Sequence, residues 1–524
     1  MKRIGIDVGG THTDAVLLEG DAVIATTKAL TSADVLTGIM TALEALIDDA
    51  AFEPADIEAV MLGTTQFTNA VIERRELTEV AAIRIGMPSG DGLPPKVGWP
   101  DDIARALGDQ VYMLRGGYLY DGRPIAKTHD REIERVIDDL VDKRVEAVAI
   151  ASAFSPMNPE PELDLARRIE AALPDTRITM SHRIGRLGLL ERENAALLNA
   201  SLLPFADGVV SAFIEAIWAR GLMCRFFVSQ NDGTLMDAEF ARQFPALTFA
   251  SGPTNSLRGA SRLTGLDDAI VVDIGGTTSD IGVLQGGFPR ESNVVIEVGG
   301  VRTNFRMPDI LAIGLGGGSL VAENGTTVGP RSVGHRLVDE AIVFGGSTLT
   351  ATDIAVAEGL AEIGDPSRVA ELDGDTIASA RATMNDMLAL GVETMSPGEQ
   401  PLPVVLVGGG AILATSFEAS GTLVHPEQAG VANAIGAAIA QIGGEAERLV
   451  AYDEQNREAS LQKICELATA QALRAGARPD TLRVADIEET AMSYMEGNMA
   501  RVRVKVVGDI AGLGAPASGA KPCD

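Results

Sequence analysis

A glycine-rich turn occurs twice in this chain, at a constant offset. The first copy lies within 4–18 and the second within 270–284, and the two align without a gap. In each copy an apolar, β-branched run ends in aspartate, continues through Gly-Gly-Thr and enters a second apolar run. Glycine provides the positive φ angles that a tight hairpin turn requires. The duplication therefore predicts two β-hairpins and two halves of the chain that begin alike. The aligned pairs are Asp7 with Asp273, Gly9 with Gly275, Gly10 with Gly276, Thr11 with Thr277, and Asp14 with Asp280.

The residue types in these turns suit phosphate binding. Backbone N–H groups at Gly-Gly can approach an oxyanion closely because no side chain intervenes. The threonine or serine that follows adds a hydroxyl donor, and an aspartate at the strand end can hold a hydrated magnesium ion. One copy alone would equally fit a structural hairpin, but two copies with matching aspartates and threonines favour a phosphate clamp. The predicted binding residues are Gly9, Gly10, Thr11, Thr13, Gly275, Gly276, Thr277 and Thr278.

Charge and composition exclude several classes of partner. Of the 524 residues, 43 are Lys or Arg and 73 are Asp or Glu, which gives a net charge of −30. Nucleic acid and anionic membrane surfaces are therefore poor partners, and an anionic ligand must be held locally by backbone N–H groups and a metal. No signal peptide and no uninterrupted apolar run of membrane-spanning length is evident, so a cytoplasmic location without membrane contact is expected.

Helix-like and strand-like segments alternate along the chain, which indicates an α/β fold. A buried strand over 404–407 runs into the triple glycine Gly408, Gly409 and Gly410, and a helix of small residues over 431–438 should pack very closely. Between 188 and 221, Pro204 is expected to divide a helical pattern into two helices. Further predicted elements are helices over 34–50, 130–143 and 160–173, a helix start at 68–75, and strands over 57–62, 145–154 and 177–181.

Two other segments can be interpreted in two ways from their residues. Gly63-Thr64-Thr65, followed by Asn69, fits either a ligand-lining turn or an ordinary helix cap. The start of 251–256, with its serine, glycine and proline, fits either a helix N-terminus that binds an anion or simple capping. The run 314–319 lacks the spacing of a dinucleotide fingerprint, and the chain has no Walker A lysine loop.

The order of the two turns and the late triple glycine resembles the actin, Hsp70 and sugar-kinase superfamily of ATPases. Within it the chain most closely resembles the hydantoinase A and 5-oxoprolinase family, which includes N-methylhydantoinase A and acetone carboxylase β-like chains. One departure is that 331–346 replaces the family's usual continuation after Val328-Gly329-Pro330. The matching stretches are 7–14 (DVGGTHTD), 63–74 (GTTQFTNAVIER), 115–124 (RGGYLYDGRP), 154–159 (FSPMNP), 251–260 (SGPTNSLRGA), 273–280 (DIGGTTSD) and 314–319 (GLGGGS).

The resemblance implies two ribonuclease-H-like, actin-like ATPase subdomains with a nucleotide cleft between them. The implied regions are a hydantoinase/oxoprolinase N-terminal region over 1–185 and a hydantoinase A region over 186–445. The residue pattern itself predicts a C-terminal helix and strand over 446–511 and a disordered tail over 512–524.

The implied activity is ATP-coupled hydrolysis of a C–N bond in a small cyclic amide, with ATP and Mg²⁺ as cofactors. A hydantoinase B-type or other second subunit, in a homo- or hetero-oligomer, is the implied partner. In this scheme Asp7 and Asp273 hold magnesium, and Gly408, Gly409 and Gly410 border the adenosine. Asp14 and Asp280 either order the turns or act on the transferred group, and Thr64, Thr65 and Asn69 are candidate substrate contacts.

Two other function classes fit the same features. A small-molecule kinase or a ketone-carboxylase-type subunit would use the same phosphate clamp on another acceptor. A non-catalytic, nucleotide-gated actin-like protein would close or assemble on ATP with negligible turnover of any small molecule.

Overall fold

The computed structural model of the protein describes residues 2–9, 11–20, 22–31, 35–50, 52–292, 295–398, 401–415, 417–451, 457–492 and 498–511. Gly10 of the first turn and the tail predicted over 512–524 lie outside these described residues.

Strands form throughout the described chain. The first twelve are β1 (Lys2–Val8), β2 (His12–Glu19), β3 (Ala22–Leu30), β4 (Ile57–Thr64), β5 (Val80–Met87), β6 (Val111–Arg115), β7 (Ala147–Ser152), β8 (Arg177–Met180), β9 (Arg225–Ser229), β10 (Thr234–Asp237), β11 (Ala269–Ile274) and β12 (Ser279–Gln285). The remainder are β13 (Phe288–Pro289), β14 (Ile296–Val298), β15 (Val301–Thr303), β16 (Ile310–Ile313), β17 (Ser319–Ala322), β18 (Thr327–Ser332), β19 (Val404–Val407), β20 (Leu423–Val424), β21 (Gln441–Ala451), β22 (Arg483–Ala491) and β23 (Met499–Gly508).

Helices alternate with these strands, so the predicted α/β class is confirmed. They are α1 (Val35–Ala50), α2 (Gln66–Glu73), α3 (Asp101–Ala106), α4 (Asp130–Lys143), α5 (Glu160–Ala172), α6 (Leu189–Trp218), α7 (Ala238–Gln243), α8 (Ser251–Thr264), α9 (Leu337–Glu340), α10 (Ala351–Ala357), α11 (Gly374–Met395), α12 (Ala432–Ile439) and α13 (Arg457–Arg474).

Three larger sheets organise the strands. A nine-stranded sheet has the order β22-β23-β21-β10-β9-β4-β1-β2-β3, so strands from the end of the chain extend the sheet that the first strand begins. A six-stranded sheet runs β13-β12-β11-β19-β20, with β16 paired to β12. A four-stranded sheet, β6-β5-β7-β8, is parallel throughout. Apolar side chains fill the layers between these sheets and their helices.

The duplication seen in the sequence extends to a third strand in each half. In the first half, β1 pairs antiparallel with β2 and parallel with β4, and Asp7 lies opposite Asp14 on one side and Gly63 on the other. In the second half, β11 pairs antiparallel with β12 and parallel with β19, and Asp273 lies between Asp280 and Val407. Each glycine turn therefore joins the two strands of a hairpin and lies beside the end of a third strand, which runs parallel to the first strand of that hairpin.

The prediction of two helices between 188 and 221 is wrong, because α6 is one helix of 30 residues with Pro204 inside it. A proline in a helix interior removes one hydrogen bond and costs about 3 kcal/mol. The twelve consecutive residues 192–203 are buried in the protein core. Burying one large apolar side chain contributes about 2 kcal/mol, so the packing of this run offsets the cost of the proline.

By length and composition, α6 is also the one helix in the described parts of the chain that could cross a membrane. Of its most apolar window, 56% is buried inside the protein. The core helix of a globular protein passes the same test, so the helix is weak evidence for a membrane span.

The close packing predicted for the small-residue helix is confirmed. A side chain at Gly259 of α8 would place its Cβ 1.9 Å from the carbonyl oxygen of Ala432, and one at Gly436 of α12 would lie 1.9 Å from that of Asn255. The two helices can touch along their backbones only because both positions are glycine. This contact positions Asn255 and Asn433 for the site described next.

Candidate functional site

The first glycine turn is held at Gly9 by its own hairpin, and at Gly9 and Thr11 by Thr31, which follows β3. Gly9 N–H donates to the carbonyl oxygen of His12 at 2.9 Å, which closes the hairpin. The hydroxyl of Thr31 donates to the Gly9 carbonyl at 2.8 Å, and Thr31 N–H donates to that of Thr11 at 2.9 Å. The loop that follows β3 therefore fixes the turn from one side.

The second glycine turn, residues 275–277, is closed in the same way and supported from behind. Gly275 N–H donates to the Thr278 carbonyl at 2.9 Å, the counterpart of the Gly9 bond. Backbone N–H groups of Gly317 and Gly318 donate to the carbonyls of Gly275 and Gly276 at 3.0 and 2.7 Å. The run 314–319, which is unsuited to dinucleotide binding, thus holds the second turn in place.

The two turns, far apart in sequence, meet in space. A Cβ built on Gly276 would lie 2.5 Å from Cγ2 and 2.8 Å from Oγ1 of Thr11. Only a residue without a side chain allows this approach, so close packing accounts for glycine at 276. The positive φ angles predicted for the turn glycines are not found at Gly9, Gly275 or Gly276. The segment that departs from the family pattern reaches the same place, because a Cβ on Gly334 would lie 3.8 Å from Thr277 Cγ2.

Asp7 and Asp273 lie beneath the turns and are joined by a single amide. Nδ2 of Asn433 is 3.3 Å from Oδ2 of Asp7 and 3.4 Å from Oδ2 of Asp273. Each carboxylate has a second donor from α8, Asn255 Nδ2 at 3.3 Å on Asp7 and the Ser256 hydroxyl on Asp273. The side chains of Asp7 and Asp273 are 5% and 9% exposed, so the pair is largely removed from bulk water.

Burial makes these carboxyls weaker acids than usual. Desolvation raises the pKa of Asp7 to about 6, with Asn255 opposing the rise and the charge of Asp14 adding to it. Desolvation and then the charge of Asp273 raise the pKa of Asp280 to about 7. Burial also raises the pKa values of Asp14 and Asp273, against the opposing effects of Lys28 on Asp14 and of Ser256 on Asp273.

These shifts predict that the protein without bound cation loses stability as the pH rises. Between the ordinary aspartate pKa of 3.8 and the raised values of about 6 and 7, the folded state binds more protons than the unfolded state. The free energy of unfolding therefore falls across that window and levels off above it. We expect Asp7→Asn and Asp280→Asn to show a smaller drop in Tm between pH 5 and pH 8, about 1–2 °C less than wild type.

Calorimetric scans in EDTA at the two pH values measure this drop, and exposed Asp175 provides the matched control. Asp175→Asn should keep the wild-type pH dependence. An unchanged drop in both site variants would contradict the assigned environments of the two carboxyls.

Lys28 is the cation of this site. It lies on β3, opposite Asp14 in the register of the sheet, and its Nζ is 2.8 Å from Oδ1 of Asp14. The same ammonium group donates to the carbonyl of Gly430 at 3.2 Å, and a Cβ on Gly409 would lie 3.8 Å from it. Lys28 therefore connects the first hairpin with the segment that follows the triple glycine.

Each buried aspartate has a glycine in close contact with its carboxylate, Gly63 for Asp7 and Gly408 for Asp273. A Cβ on Gly63 would lie 2.3 Å from Oδ1 of Asp7, and a Cβ on Gly408 would lie 2.2 Å from Oδ1 of Asp273. Gly410 N–H donates to the Ile274 carbonyl at 2.7 Å. The triple glycine is thus packed against the second turn, and the segment from Gly63 onward is its counterpart in the first half.

The other predicted contacts lie in different surroundings. Thr64 is buried and its N–H group is 3.3 Å from the hydroxyl of Ser251, whereas Thr65 is partly buried at the start of α2. Asn69 is exposed on α2. Thr13 is buried with its hydroxyl 3.4 Å from that of Thr31, and Thr278 is exposed. The binding roles of all five remain predictions.

Asn255, Ser256, Asn433 and Lys28 were not singled out from the sequence. The first two lie in the 251–260 block, whose pattern predicts a helix start with or without a bound anion but no contact with an aspartate. Asn433 was visible as one of few polar residues in an apolar helix. Lys28 is separated from Asp14 by a whole hairpin, so only the strand register reveals their contact.

The fold and site define an α/β protein built around two facing glycine turns above a pair of buried aspartates. The chain belongs to the hydantoinase/oxoprolinase family. The model of the hydantoinase/oxoprolinase N-terminal region matches residues 3–173, and that of hydantoinase/oxoprolinase matches residues 192–398. The two together match more than half of the chain, and the resemblance found in the sequence is confirmed.

Two curated relatives are named as subunits of larger enzymes. The chain is 28% identical over 390 residues to the caprolactamase subunit alpha of Pseudomonas jessenii, with 68% of this chain and 54% of the relative covered. It is 25% identical over 398 residues to the acetophenone carboxylase gamma subunit of Aromatoleum aromaticum, with 68% and 53% covered. The chain thus matches about half the length of each relative.

A solved structure shares the fold. The crystal structure of the ATP-dependent caprolactamase from Pseudomonas jessenii superposes with a TM-score of 0.77 and 19% identity. The superposition covers 99% of this chain and 88% of that chain.

Proposed function

We propose that the protein is the nucleotide-using subunit of an ATP-dependent cyclic-amide hydrolase. In this proposal the halves that begin at the two glycine turns are ribonuclease-H-like subdomains, and ATP lies in the cleft between them. The observation that carries the proposal is the meeting of the two turns at Gly276 and Thr11, directly above the joined carboxylates of Asp7 and Asp273. Phosphoryl transfer asks a protein mainly for such positioning and charge neutralisation.

The residues present suit a hydrated magnesium ion. All four turn aspartates have raised pKa values, and among the described residues Lys28 alone forms an ion pair with any of them. The site thus holds more buried carboxylate than protein cations can balance, and oxygen ligands are those that magnesium prefers. Asp7 and Asp273 would hold the ion through water, and it would offset the negative charge of the phosphates.

The proposed roles follow the geometry of the turns. Backbone N–H groups and hydroxyls of the two turns would cradle the phosphates, and the triple glycine would border the adenosine. Asp14, held by Lys28, would order the first turn, and Asp280 would act likewise in the second. The phosphate set is Gly9, Gly10, Thr11, Thr13, Gly275, Gly276, Thr277 and Thr278, the adenosine set is Gly408, Gly409 and Gly410, and the substrate set is Thr64, Thr65 and Asn69.

The chemistry of the substrate explains why ATP is needed. Resonance protects an unstrained cyclic amide from hydrolysis. Transfer of the γ-phosphoryl group to the amide oxygen releases ADP and makes that oxygen a leaving group. Water then adds to the carbon and the ring C–N bond breaks, which leaves an acyl phosphate and the freed nitrogen. A second water hydrolyses the acyl phosphate, so phosphate departs and an amino acid or its carbamoyl derivative is formed. A second subunit of hydantoinase B type would complete the site, as the subunit names of the two relatives support.

The direct test is ADP release by the chain co-purified with the product of the neighbouring gene, screened over lactams, hydantoins and 5-oxoproline. We expect ADP release that depends on one cyclic amide, with the ring-opened acid formed in equal amount. ADP with a stable phosphorylated product would indicate a kinase instead. ATP-dependent closure without small-molecule turnover would indicate an actin-like regulatory protein.

A second candidate function is a ketone-carboxylase-type subunit. The relative named as an acetophenone carboxylase subunit is 25% identical, close to the 28% of the caprolactamase subunit. The same screen run with bicarbonate and methyl ketones separates the two. ADP release that requires both a ketone and bicarbonate would favour this second function.

Lys28 provides a further prediction for the nucleotide site. We expect Lys28→Met to raise the KM for ATP about fivefold to tenfold, because a cation beside the phosphates is lost. Lys28→Arg should recover part of the loss, since it keeps the charge. Steady-state ADP release measures the change, and exposed Lys127 supplies the control Lys127→Met. A KM in Lys28→Met equal to that of the control would contradict this role.

A further inference from the structure

A cavity of about 990 Å³ lies away from the glycine turns, and none of their residues lines it. Its walls include residues of 156–159 and 182–187 beside the four-stranded sheet, and residues of 230–247 from the β9–β10 connection through α7. They also include Arg306, the segment 443–449 with Lys505 of the nine-stranded sheet, and Arg474 at the end of α13. Sites for small ligands usually measure about 300–1,000 Å³. The size and the meeting of several structural units make the cavity a candidate ligand site.

One wall contains residues of the 154–159 block, to which the proposed function assigns no role. Pro156, Met157 and Pro159 of the 154–159 block line the cavity. Phe154, at the head of that block, has φ of 53°, a left-handed conformation that is uncommon for a bulky residue. Strain of this kind persists where surrounding structure holds it and is concentrated at functional sites.

His182 faces the cavity from a fixed position. Its Nδ1 is 2.6 Å from Oε2 of Glu162, whose side chain is fully buried. Glu162 also accepts from the N–H of Ser152 at 2.8 Å and from the Ser181 hydroxyl at 2.6 Å. Although burial opposes it, hydrogen bonding to His182 lowers the pKa of Glu162, so this carboxylate is ionised and holds the Nδ1 proton. Nε2 of His182 makes no hydrogen bond with any described residue. In a neutral imidazole that donates its Nδ1 proton, Nε2 is an acceptor.

The charges around the cavity are unusual for so acidic a protein. Of the acidic lining side chains, Asp232, Glu239, Glu445 and Glu447 have cationic partners, and Asp237 caps α7 through the N–H of Phe240. By contrast, the exposed lining residues Arg183, Arg448 and Arg474 form no ion pair with a described carboxylate. In a protein of net charge −30, three guanidinium groups without a carboxylate partner around one cavity favour an anionic ligand.

We propose that this cavity is a second ligand site, for a small carboxylate that also carries an N–H or O–H group. Unpaired guanidinium groups receive the carboxylate, since arginine recognises carboxylates in a two-pronged geometry. Nε2 of His182 accepts the hydrogen bond from the ligand's N–H or O–H. The proposal does not depend on ATP or on the chemistry at the glycine turns.

The test is calorimetric titration of the full chain with N-acetylglycine, which carries a carboxylate and an amide N–H. We expect saturable binding with a Kd on the order of 1 mM. N-acetylglycinamide, which lacks the charge, and N-acetylsarcosine, which lacks the N–H, should each bind about tenfold more weakly to the wild-type protein. These two probes need no mutation, so the test does not depend on the folding of a variant.

Site-directed variants test which side chains of the cavity bind the ligand. His182→Phe should weaken N-acetylglycine binding about tenfold, and so should Arg183→Gln combined with Arg474→Gln. Arg135→Gln, on the exposed part of α4, is the matched control and should bind as wild type does. Absence of saturable binding to wild type, or equal binding of all three probes, would overturn the proposal. Unchanged binding in both site variants would overturn it as well.

Discussion

Asparagine in place of Asp7 or Asp273 is expected to lower the rate of ATP consumption about 100-fold or more. Both carboxylates are buried beneath the glycine turns, and one amide of Asn433 joins them. Asparagine keeps the size and the buried position but removes the charge that would hold magnesium. The loss should appear in the rate of ADP release at saturating cyclic amide, with the second subunit present.

Asp175→Asn is the control for this prediction, because Asp175 is exposed and remote from the turns in the sequence. Its turnover should equal that of wild type. The two site variants should also lose the stabilisation that Mg²⁺ with ATP gives the wild-type protein. Wild-type turnover in both Asp7→Asn and Asp273→Asn would refute the magnesium assignment.

Alanine in place of Gly408 is expected to destabilise the folded protein by about 3 kcal/mol, which lowers the Tm by about 3 °C for a chain of this length. The added Cβ would lie 2.2 Å from Oδ1 of Asp273 and 2.4 Å from the carbonyl oxygen of Ile274. The backbone at Gly408 has φ of +89°, which strains any residue with a side chain. The steric clash with Asp273 and the backbone strain at position 408 would therefore both destabilise the variant.

Gly409→Ala is the matched control, since the nearest atom to its added Cβ is Nζ of Lys28 at 3.8 Å. Thermal unfolding without nucleotide should give a Tm for this variant close to wild type. Equal Tm values for Gly408→Ala and Gly409→Ala would show that the triple glycine does not pack on Asp273 as described.

Much of the architecture is predictable from the chain because it repeats. The matched aspartates and glycines of the two turns require no knowledge of tertiary structure, and the α/β alternation follows from local periodicity. Pro204 shows the limit of that reasoning. The helix continues through this proline because the burial of twelve neighbouring residues stabilises it.

The rest of the site depends on contacts between distant segments. Asn433 reaches Asp7 across 426 positions, and Asn255 reaches it across 248. No pattern in the sequence around Asn433 or Asn255 predicts that their amides contact a carboxylate. Their placement follows from glycines at 259 and 436, which allow α8 and α12 to touch. The similarity of Gly63 and Gly408 emerges only from their contacts with Asp7 and Asp273, because their surrounding sequences differ and the strand register places Val407 opposite Asp273.

We propose above that the two glycine turns act together as one phosphate clamp. Calorimetric titration of the chain with a non-hydrolysable ATP analogue and Mg²⁺ distinguishes one shared site from two separate ones. We expect one nucleotide per chain in wild type, and affinity at least about tenfold lower in Thr11→Val and in Thr277→Val, because each turn would supply one hydroxyl to the same phosphates. Two independent sites per chain, or full affinity in either variant, would contradict this proposal.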